Sequence, residues 1–240
     1  MFSADDAIKI RNNLKQVRER IRNAAERCGR NPEDIILVAV SKTVGTEAIE
    51  TAIEEKVLNF GENRVQELLQ KHDIFKGRCN WHLIGRLQTN KVKYIIDKVE
   101  LIHSLDRMEL AEEIQKRAEK ADRIVNTLIQ VNVAGEESKA GISPDEVYDF
   151  VKKVSTYPNI KVKGLMTIAP YTDDPESVRW VFRRLRNISI DIKRENINNI
   201  DMQYLSMGMS HDFEVAIEEG ANIVRIGTSI FGERQYPLSK

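Results

Sequence analysis

The chain has 240 residues, and its 37 Lys plus Arg balance 37 Asp plus Glu, so the formal net charge is zero. This balance argues against wholesale nucleic-acid binding, which usually leaves a basic excess. No apolar run approaches the roughly 20 residues of a membrane helix, so no membrane partner is expected. The N-terminus lacks a basic segment followed by an apolar one, so no signal peptide is predicted. Cys28 and Cys79 show no metal-ligand spacing, which predicts free thiols in a reducing cytoplasm and no metal site.

The first predicted element is a long helix over residues 4–28. Ser3 and Asp6 resemble a capping pair, although Asp replaces the preferred Glu or Gln, and Gly29 is suited to ending the helix. A single apolar stripe predicts that the helix packs on the outside of a domain, with a coiled-coil seam as the alternative. The stripe contains Ile10, Leu14, Val17, Ile21, Ala24 and Cys28.

Beyond this helix, short apolar segments alternate with helical patterns. Eight strands, each followed by a helix or a helical turn, predict an α/β fold, a single closed parallel (β/α)8 barrel of the TIM type. The alternative is an open, doubly wound sheet. One domain is expected over residues 1–240, with 1–30 as the extra N-terminal helix. The predicted strands are 35–40, 57–60, 81–84, 101–103, 124–133, 162–166, 202–205 and 223–226, and the predicted helices begin at Thr46, Asn63, Asp106, Ser143, Asp174 and Ser210.

Functional groups of a parallel barrel lie at the carboxyl ends of its strands. The first predicted strand ends at Lys42, whose amine can lose solvation at the mouth of a pocket. Loss of solvation favours the neutral amine, which is a nucleophile toward aldehydes. At the exit of the seventh strand, the segment from Ser206 to Ser210 supplies small hydroxyl residues on the same side of the barrel.

The last two strand exits have the chemistry of a phosphate site. Gly208 and Gly227 allow close backbone approach, Ser210 and Thr228 offer hydroxyl donors, and a helix predicted to begin at Ser210 adds amide donors. The alternative is that Ser210 only caps its helix and Gly227 only makes a turn. Taken with Lys42, the pattern suggests pyridoxal 5'-phosphate (PLP) held as a lysine Schiff base.

Arg225 lies inside a predicted strand, where a charged group needs a partner or a role. Arg225 either forms a structural ion pair or donates to the pyridine nitrogen of PLP. In the second case the nitrogen would stay unprotonated, and the ring would be a poor electron sink. Asn63 either caps a helix or touches the cofactor ring. His82 is either a satisfied core histidine or a general base, and Met166 is more simply a packing residue.

Six sequence runs, spread in order over nearly the whole chain, resemble those of the pyridoxal phosphate homeostasis protein family. Small departures are Arg64, where an aromatic residue is common, and Leu83 and Arg86. The family is itself similar to the N-terminal barrel of alanine racemase, the fold-type III group of PLP proteins. The runs are VAVSKT, FGENRVQE, WHLIGRLQTNK, IHSLDR, GLMTI and LSMGMSHDFEVAIEEGANIVRIGTSIFGER.

The resemblance implies a cofactor site, and no catalytic residues are assigned. It implies that Lys42 carries PLP and that Arg225 faces the pyridine nitrogen. The residues implied to hold the phosphate are Ser210, Gly227 and Thr228, and those implied to lie near the ring are Asn63 and Met166. Ser206, at the exit of the seventh strand, is predicted to be a further cofactor-binding residue.

Three functions are compatible with these residues. The first is a cytoplasmic, non-catalytic protein that buffers PLP and delivers it to apo-enzymes; the chain ends after the last strand without a racemase β-domain, which predicts a monomer and no racemase base. The second is an amino-acid racemase or lyase whose base would be His82 or Tyr171. The third is an interaction module that uses the first helix.

Lys139 lies in a glycine-flanked loop after the fifth predicted strand. It is expected to reach the same mouth of the barrel. The hypothesis is that it accepts PLP transiently as a second amine, and the alternative is a solvated loop lysine.

Overall fold

A computed structural model of the protein describes residues 2–136 and 139–232. Eight parallel strands pair in chain order, and the first pairs with the last to close a barrel. The predicted closed barrel is therefore confirmed, and the open sheet is excluded. The strands are β1 (Ile36–Val40), β2 (Asn59–Glu62), β3 (Asn80–Leu83), β4 (Leu101–Leu105), β5 (Val125–Gln130), β6 (Ile160–Met166), β7 (Ile200–Ser206) and β8 (Ile223–Ile226).

Helices surround the barrel in the order that the alternating pattern predicts. Three short 3-10 turns, Pro32–Asp34, Thr89–Tyr94 and Pro175–Val178, connect the elements. None of the helices in the part of the chain that the structure describes is long and apolar enough to cross a membrane. The α-helices are α1 (Ala4–Arg27), α2 (Thr46–Glu54), α3 (Val65–Ile74), α4 (Met108–Lys120), α5 (Val147–Val154), α6 (Arg179–Arg194), α7 (Phe213–Glu218) and α8 (Thr228–Phe231).

Alternation along the strands divides the apolar side chains into two layers. The larger layer fills the space between the sheet and the helices and includes Ala39, Phe60 and Ile102. Strand neighbours of these residues point the other way, because successive side chains of a strand face opposite sides. The smaller cluster therefore fills the barrel interior, and it consists of Val38, Leu101, Leu128, Met166 and Ile223.

The N-terminal helix packs on the outside of the barrel against α2, α7 and α8, as predicted. The capping pair is confirmed, since Ser3 Oγ accepts from the Asp6 amide at 3.2 Å and Asp6 Oδ2 accepts from the Ser3 amide at 3.0 Å. The apolar stripe is buried from Ile10 to Ala24. Its predicted last member is wrong, because Cys28 is exposed and stands at the C-cap, while Ala25 is buried instead.

Two predicted helix starts are wrong for local reasons. No helix begins at Ser210, because the Asp212 carboxylate accepts a hydrogen bond from the Met209 amide at 2.6 Å, closes a turn and delays α7 to Phe213. The predicted capping box at Ser143 does not form; α5 has no side-chain cap, and a turn precedes it. The fifth strand is also shorter than predicted and ends at Gln130.

Pairing between neighbouring strands is uneven around the barrel. β7 and β8 share one register pair, Ser206 with Ile223, whereas β5 and β6 share six. A residue with a side chain is excluded at Gly164, because an added Cβ would lie 1.9 Å from the carbonyl oxygen of Tyr204 on β7. The polar side chains of the proposed site lie at the carboxyl ends of these strands.

Candidate cofactor site at the carboxyl end of the barrel

Lys42, Gly227 and Thr228 line one cavity of about 360 Å³ where β1 and β8 adjoin. Lys42 follows β1 directly and is half-buried. Residues of α1, among them Lys9 and Asn13, form the opposite wall. The structure therefore brings the predicted amine and part of the predicted phosphate cradle to one place.

Hydrogen bonds join the loop after β7 to β8 and to the turn that follows β8. Ser210 Oγ accepts from the Ser229 amide at 3.3 Å, and the Arg225 amide donates to the Gly208 carbonyl at 3.0 Å. Gly208 has φ +91°, and an added Cβ would lie 2.8 Å from Phe213 Cα, so this turn requires glycine. The two predicted phosphate loops thus hold each other in place.

A short helix begins at Thr228, directly after Gly227. Sequence analysis predicted amide donors from a helix at Ser210; the helix N-terminus that adjoins the cavity is that of α8. Asn13 Nδ2 donates to the Ile230 carbonyl at 2.9 Å and anchors α8 to α1. An added Cβ on Gly227 would lie 3.2 Å from the Val40 carbonyl oxygen, so the turn packs closely on the end of β1.

Arg225 lies inside the barrel and is only 4% exposed. Its Nη1 donates to Ser206 Oγ at 2.5 Å, and its Nη2 donates to the Thr167 carbonyl at 2.9 Å. Burial lowers the pKa of Arg225 to about 10, and the nearby Asp212 carboxylate opposes this shift. The guanidinium therefore remains a cation at neutral pH.

Ser206 connects Arg225 to two buried histidines. Its Oγ lies 2.9 Å from His103 Nδ1, His103 Nε2 lies 2.9 Å from His82 Nδ1, and His82 Nε2 lies 3.2 Å from Asn59 Oδ1. We name Arg225, Ser206, His103, His82 and Asn59 the histidine relay. It crosses the interior of the barrel from the site toward the amino ends of the strands.

The donor order of the histidine relay follows from Arg225, which can only donate. Ser206 accepts from Arg225, so its own proton is directed to His103 Nδ1. We therefore assign the proton of each imidazole to Nε2, and His82 donates to Asn59. Burial lowers the pKa of His82 to about 4 and that of His103 well below its ordinary value, so both rings are neutral.

Two further predicted residues, Asn63 and Met166, lie outside the lining of the cavity at Lys42. Met166 is fully buried in the interior cluster, and Asn63 is half-buried after β2. An added Cβ on Gly85 would lie 2.4 Å from the Asn63 carbonyl oxygen, so Gly85 lets the loop after β3 pack on Asn63. Sequence analysis missed this role of the glycine in the run WHLIG.

The two candidate general bases are differently placed. Both ring nitrogens of His82 are engaged in the relay, so the core interpretation of this histidine describes its contacts. Tyr171 is 76% exposed and packs edge-on against His211, with 5.4 Å between ring centroids. Neither side chain lines the cavity at Lys42.

The predicted second amine, Lys139, lies in an exposed loop. Its Nζ is 3.9 Å from Glu136 Oε2, and Asn132 Nδ2 donates to its carbonyl oxygen at 3.4 Å. Its place relative to the cavity stays a prediction. Within residues 2–136 and 139–232, no three His, Cys, Asp or Glu side chains are grouped to hold a metal ion.

Sequence analysis also missed a buried ionic cluster behind the turn that carries Lys42. Its members are Ser41, Glu62, Glu67 and Lys71. The signal in the sequence was Lys71 itself, which continues the buried side of α3 begun by Val65 and Leu68.

The barrel with a lysine at the end of its first strand is of the alanine racemase class. The family model described as alanine racemase, N-terminal domain, matches residues 12–235. An alanine racemase of Clostridium difficile is similar in fold, with a TM-score of 0.75, 16% identity and coverage of 95% of this chain but 57% of the racemase.

Two further proteins are similar over nearly their whole length. The pyridoxal phosphate homeostasis protein of Aquifex aeolicus is 53% identical over 224 residues, which cover 93% of this chain and 97% of that protein. The structure of PipY from Synechococcus elongatus with PLP bound has a TM-score of 0.81 and 30% identity, over 93% of this chain and all of PipY. This chain belongs to the family of pyridoxal phosphate homeostasis proteins.

Proposed function

We propose that this protein binds PLP as a Schiff base on Lys42 and acts in PLP homeostasis in the cytoplasm. It buffers the cofactor and delivers it to apo-enzymes, as a monomer and without robust catalysis of its own. The observation that carries the proposal is the cavity shared by Lys42, Gly227 and Thr228. The name of the Aquifex aeolicus relative and the PLP bound to PipY support it.

The chemistry of the residues fits PLP. Lys42 supplies a primary amine, and hydroxyl and amide donors at Ser210, Gly227 and Thr228 suit a phosphate dianion. Arg225 is assigned to the pyridine nitrogen. Ser206 acts through Arg225, because its hydroxyl is engaged with the guanidinium and with His103. Asn63 and Met166 are assigned to the surroundings of the ring.

The buried guanidinium also supports the absence of robust catalysis. PLP supplies an aldehyde that captures amines and a ring that withdraws electrons most strongly when its nitrogen is protonated. Arg225 donates hydrogen bonds from a cation and has no acidic proton to give at neutral pH. The positions of His82 and Tyr171, one engaged in the relay and the other largely exposed, do not favour a racemase or a lyase.

The test compares visible absorption spectra after PLP addition and desalting. Wild type and Lys9→Ala should retain a Schiff-base band, and Lys42→Ala should lose it. Lys9 is the matched control because it lines the same cavity from α1. Retention of the band in Lys42→Ala would refute the assignment of the lysine.

Catalysis is tested separately. Wild type loaded with PLP is incubated with α-deuterated amino acids, and no loss of the label is expected. Steady exchange at the α-carbon of any common amino acid would establish the racemase or lyase alternative.

A further inference from the structure

A buried ionic cluster lies behind the turn that carries Lys42. We name Ser41, Glu62, Glu67 and Lys71 the Lys71 cluster. Glu62 is fully buried and Lys71 is 6% exposed, so the pair is removed from solvent. Burying charged side chains is costly unless they are paired and hydrogen-bonded.

The contacts of Lys71 use all three of its ammonium protons. Lys71 Nζ donates to the Ser41 carbonyl at 2.6 Å, to Glu62 Oε1 at 2.8 Å and to Glu67 Oε1 at 2.6 Å. An ammonium has three donors and no acceptor, so its hydrogen-bonding capacity is filled. One of the three bonds holds the backbone residue that immediately precedes Lys42.

The same cluster holds the residue that follows Lys42. The Thr43 amide donates to Glu67 Oε1 at 2.5 Å, and Ser41 Oγ donates to Glu62 Oε1 at 2.6 Å. Thr43 has φ +65°, a left-handed conformation that is unusual for a β-branched residue. Such strain persists where surrounding contacts impose it, and it concentrates at functional sites.

The cluster is not built for stability alone. Glu62 Oε2 is buried and has no hydrogen-bond partner. Burial also raises the pKa of Glu62, and this effect outweighs the neighbouring ammonium. Buried ion pairs are often no more stabilising than well-packed apolar residues, and an unsatisfied oxygen adds a further cost. What the cluster does supply is a fixed backbone on both sides of Lys42.

We propose that Lys71, with Glu62 and Glu67, is a positioning cluster for Lys42. It sets the direction from which the lysine amine meets the PLP aldehyde, and so governs the rate of Schiff-base formation and not the capture of the phosphate. In that step the neutral amine forms a C=N bond to the aldehyde carbon, and the aldehyde oxygen leaves as water with the two amine protons. The inference rests on the proposed function of Lys42. Lys71 acts through the backbone beside Lys42 and does not itself touch the cofactor.

The test separates capture of PLP from formation of the covalent bond. The rate of appearance of the Schiff-base band is measured on apo-protein over a range of PLP concentrations, which yields a capture constant and a limiting first-order rate. Lys71→Met should lower the limiting rate about tenfold, or about 1.4 kcal/mol in the barrier, because orientation of the amine is lost. The capture constant should stay unchanged.

Lys163→Met is the matched control. Lys163 is also a partly buried lysine in an ion pair, 2.7 Å from Asp201, but it lies in the middle of β6, three residues before the carboxyl end of that strand. It should change neither constant. Wild-type rates in Lys71→Met would overturn the positioning role while leaving the Schiff base intact, whereas no band in wild type would overturn the proposed function itself.

A second pair of variants decides the question if Lys71→Met does not fold. Glu67 is partly exposed, so its replacement is milder. Glu67→Ala should slow the limiting rate, and Glu67→Gln, which keeps an oxygen acceptor for Thr43 and Lys71, should restore most of it. Equal rates in Glu67→Ala, Glu67→Gln and wild type would overturn the proposal.

Discussion

Replacement of Ser206 by alanine tests the histidine relay directly. The Ser206 hydroxyl is the shared partner of Arg225 Nη1 and His103 Nδ1. Alanine removes it without adding volume, so both nitrogens are left buried and short of one partner. A buried polar group that loses its partner costs about 1–3 kcal/mol, and more when it is charged. Ser206→Ala should therefore lower the free energy of unfolding by about 2–6 kcal/mol.

The assay is urea unfolding followed by far-UV circular dichroism, with thermal unfolding as a second measurement. In a chain of this size each kcal/mol shifts Tm by roughly 2–4 °C, so Tm should fall by roughly 4–24 °C. Ser104→Ala is the control, because Ser104 is equally buried but its hydroxyl makes a single bond, to the Gly85 carbonyl at 2.7 Å. That variant should lose about 1 kcal/mol.

The comparison between the two variants decides the outcome. If Ser206→Ala is no less stable than Ser104→Ala, its hydroxyl does not serve two buried nitrogens, and the donor order assigned to the relay is wrong. A loss at least twice that of Ser104→Ala is the expected result.

Further predictions concern pH, backbone packing and cofactor release. Burial lowers the pKa of His82 from 6.5 to about 4 on folding. The neutral ring therefore contributes its full stability above pH 6.5, and about 3 kcal/mol of stability is lost as pH falls toward 4. Urea midpoints measured from pH 7 to 4.5 should fall accordingly, and an equally steep pH dependence of the midpoint in His82→Gln would contradict the prediction. Gly164→Ala should not fold to a native barrel, because its Cβ would meet the Tyr204 carbonyl. Gly77 also has a positive φ, +75°, but open space for a Cβ, so Gly77→Ala should lose about 1–2 kcal/mol of stability and keep its circular dichroism spectrum. Lys139→Ala should slow PLP transfer to an apo-enzyme, and transfer at the wild-type rate would remove the second-amine hypothesis.

The fold could be predicted because its signals are local. A strand such as β1 is a short apolar run that any window of the sequence reveals, and the capping pair joins Ser3 to Asp6, only three positions apart. Boundaries failed where one side chain redirected the backbone. The Asp212 carboxylate closes a turn in a segment whose composition is helical, and no periodicity reveals that hydrogen bond.

The site could be predicted only in its local parts. Lys42 and Gly227 each follow a recognisable apolar strand in the sequence, but the histidine relay joins His103 to Ser206, which are 103 positions apart. Sequence alone had only the individual histidines, without their partners. The Lys71 cluster was missed for the same reason, since Glu62 and Lys71 meet through the packing of α3 on β2 and not through a motif.

Because β7 and β8 share a single register pair, the joint between these two strands is the weakest in the barrel. Two further hydrogen bonds connect β8 and the turn after it to the loop after β7: the Arg225 amide donates to the Gly208 carbonyl, and the Ser229 amide donates to Ser210 Oγ. An anion bound by both the loop after β7 and the turn after β8 would link the two strands, so part of its binding free energy would stabilise the sheet against separation at this joint. On the proposed function, the free energy of unfolding of this protein would therefore rise with the concentration of its cofactor.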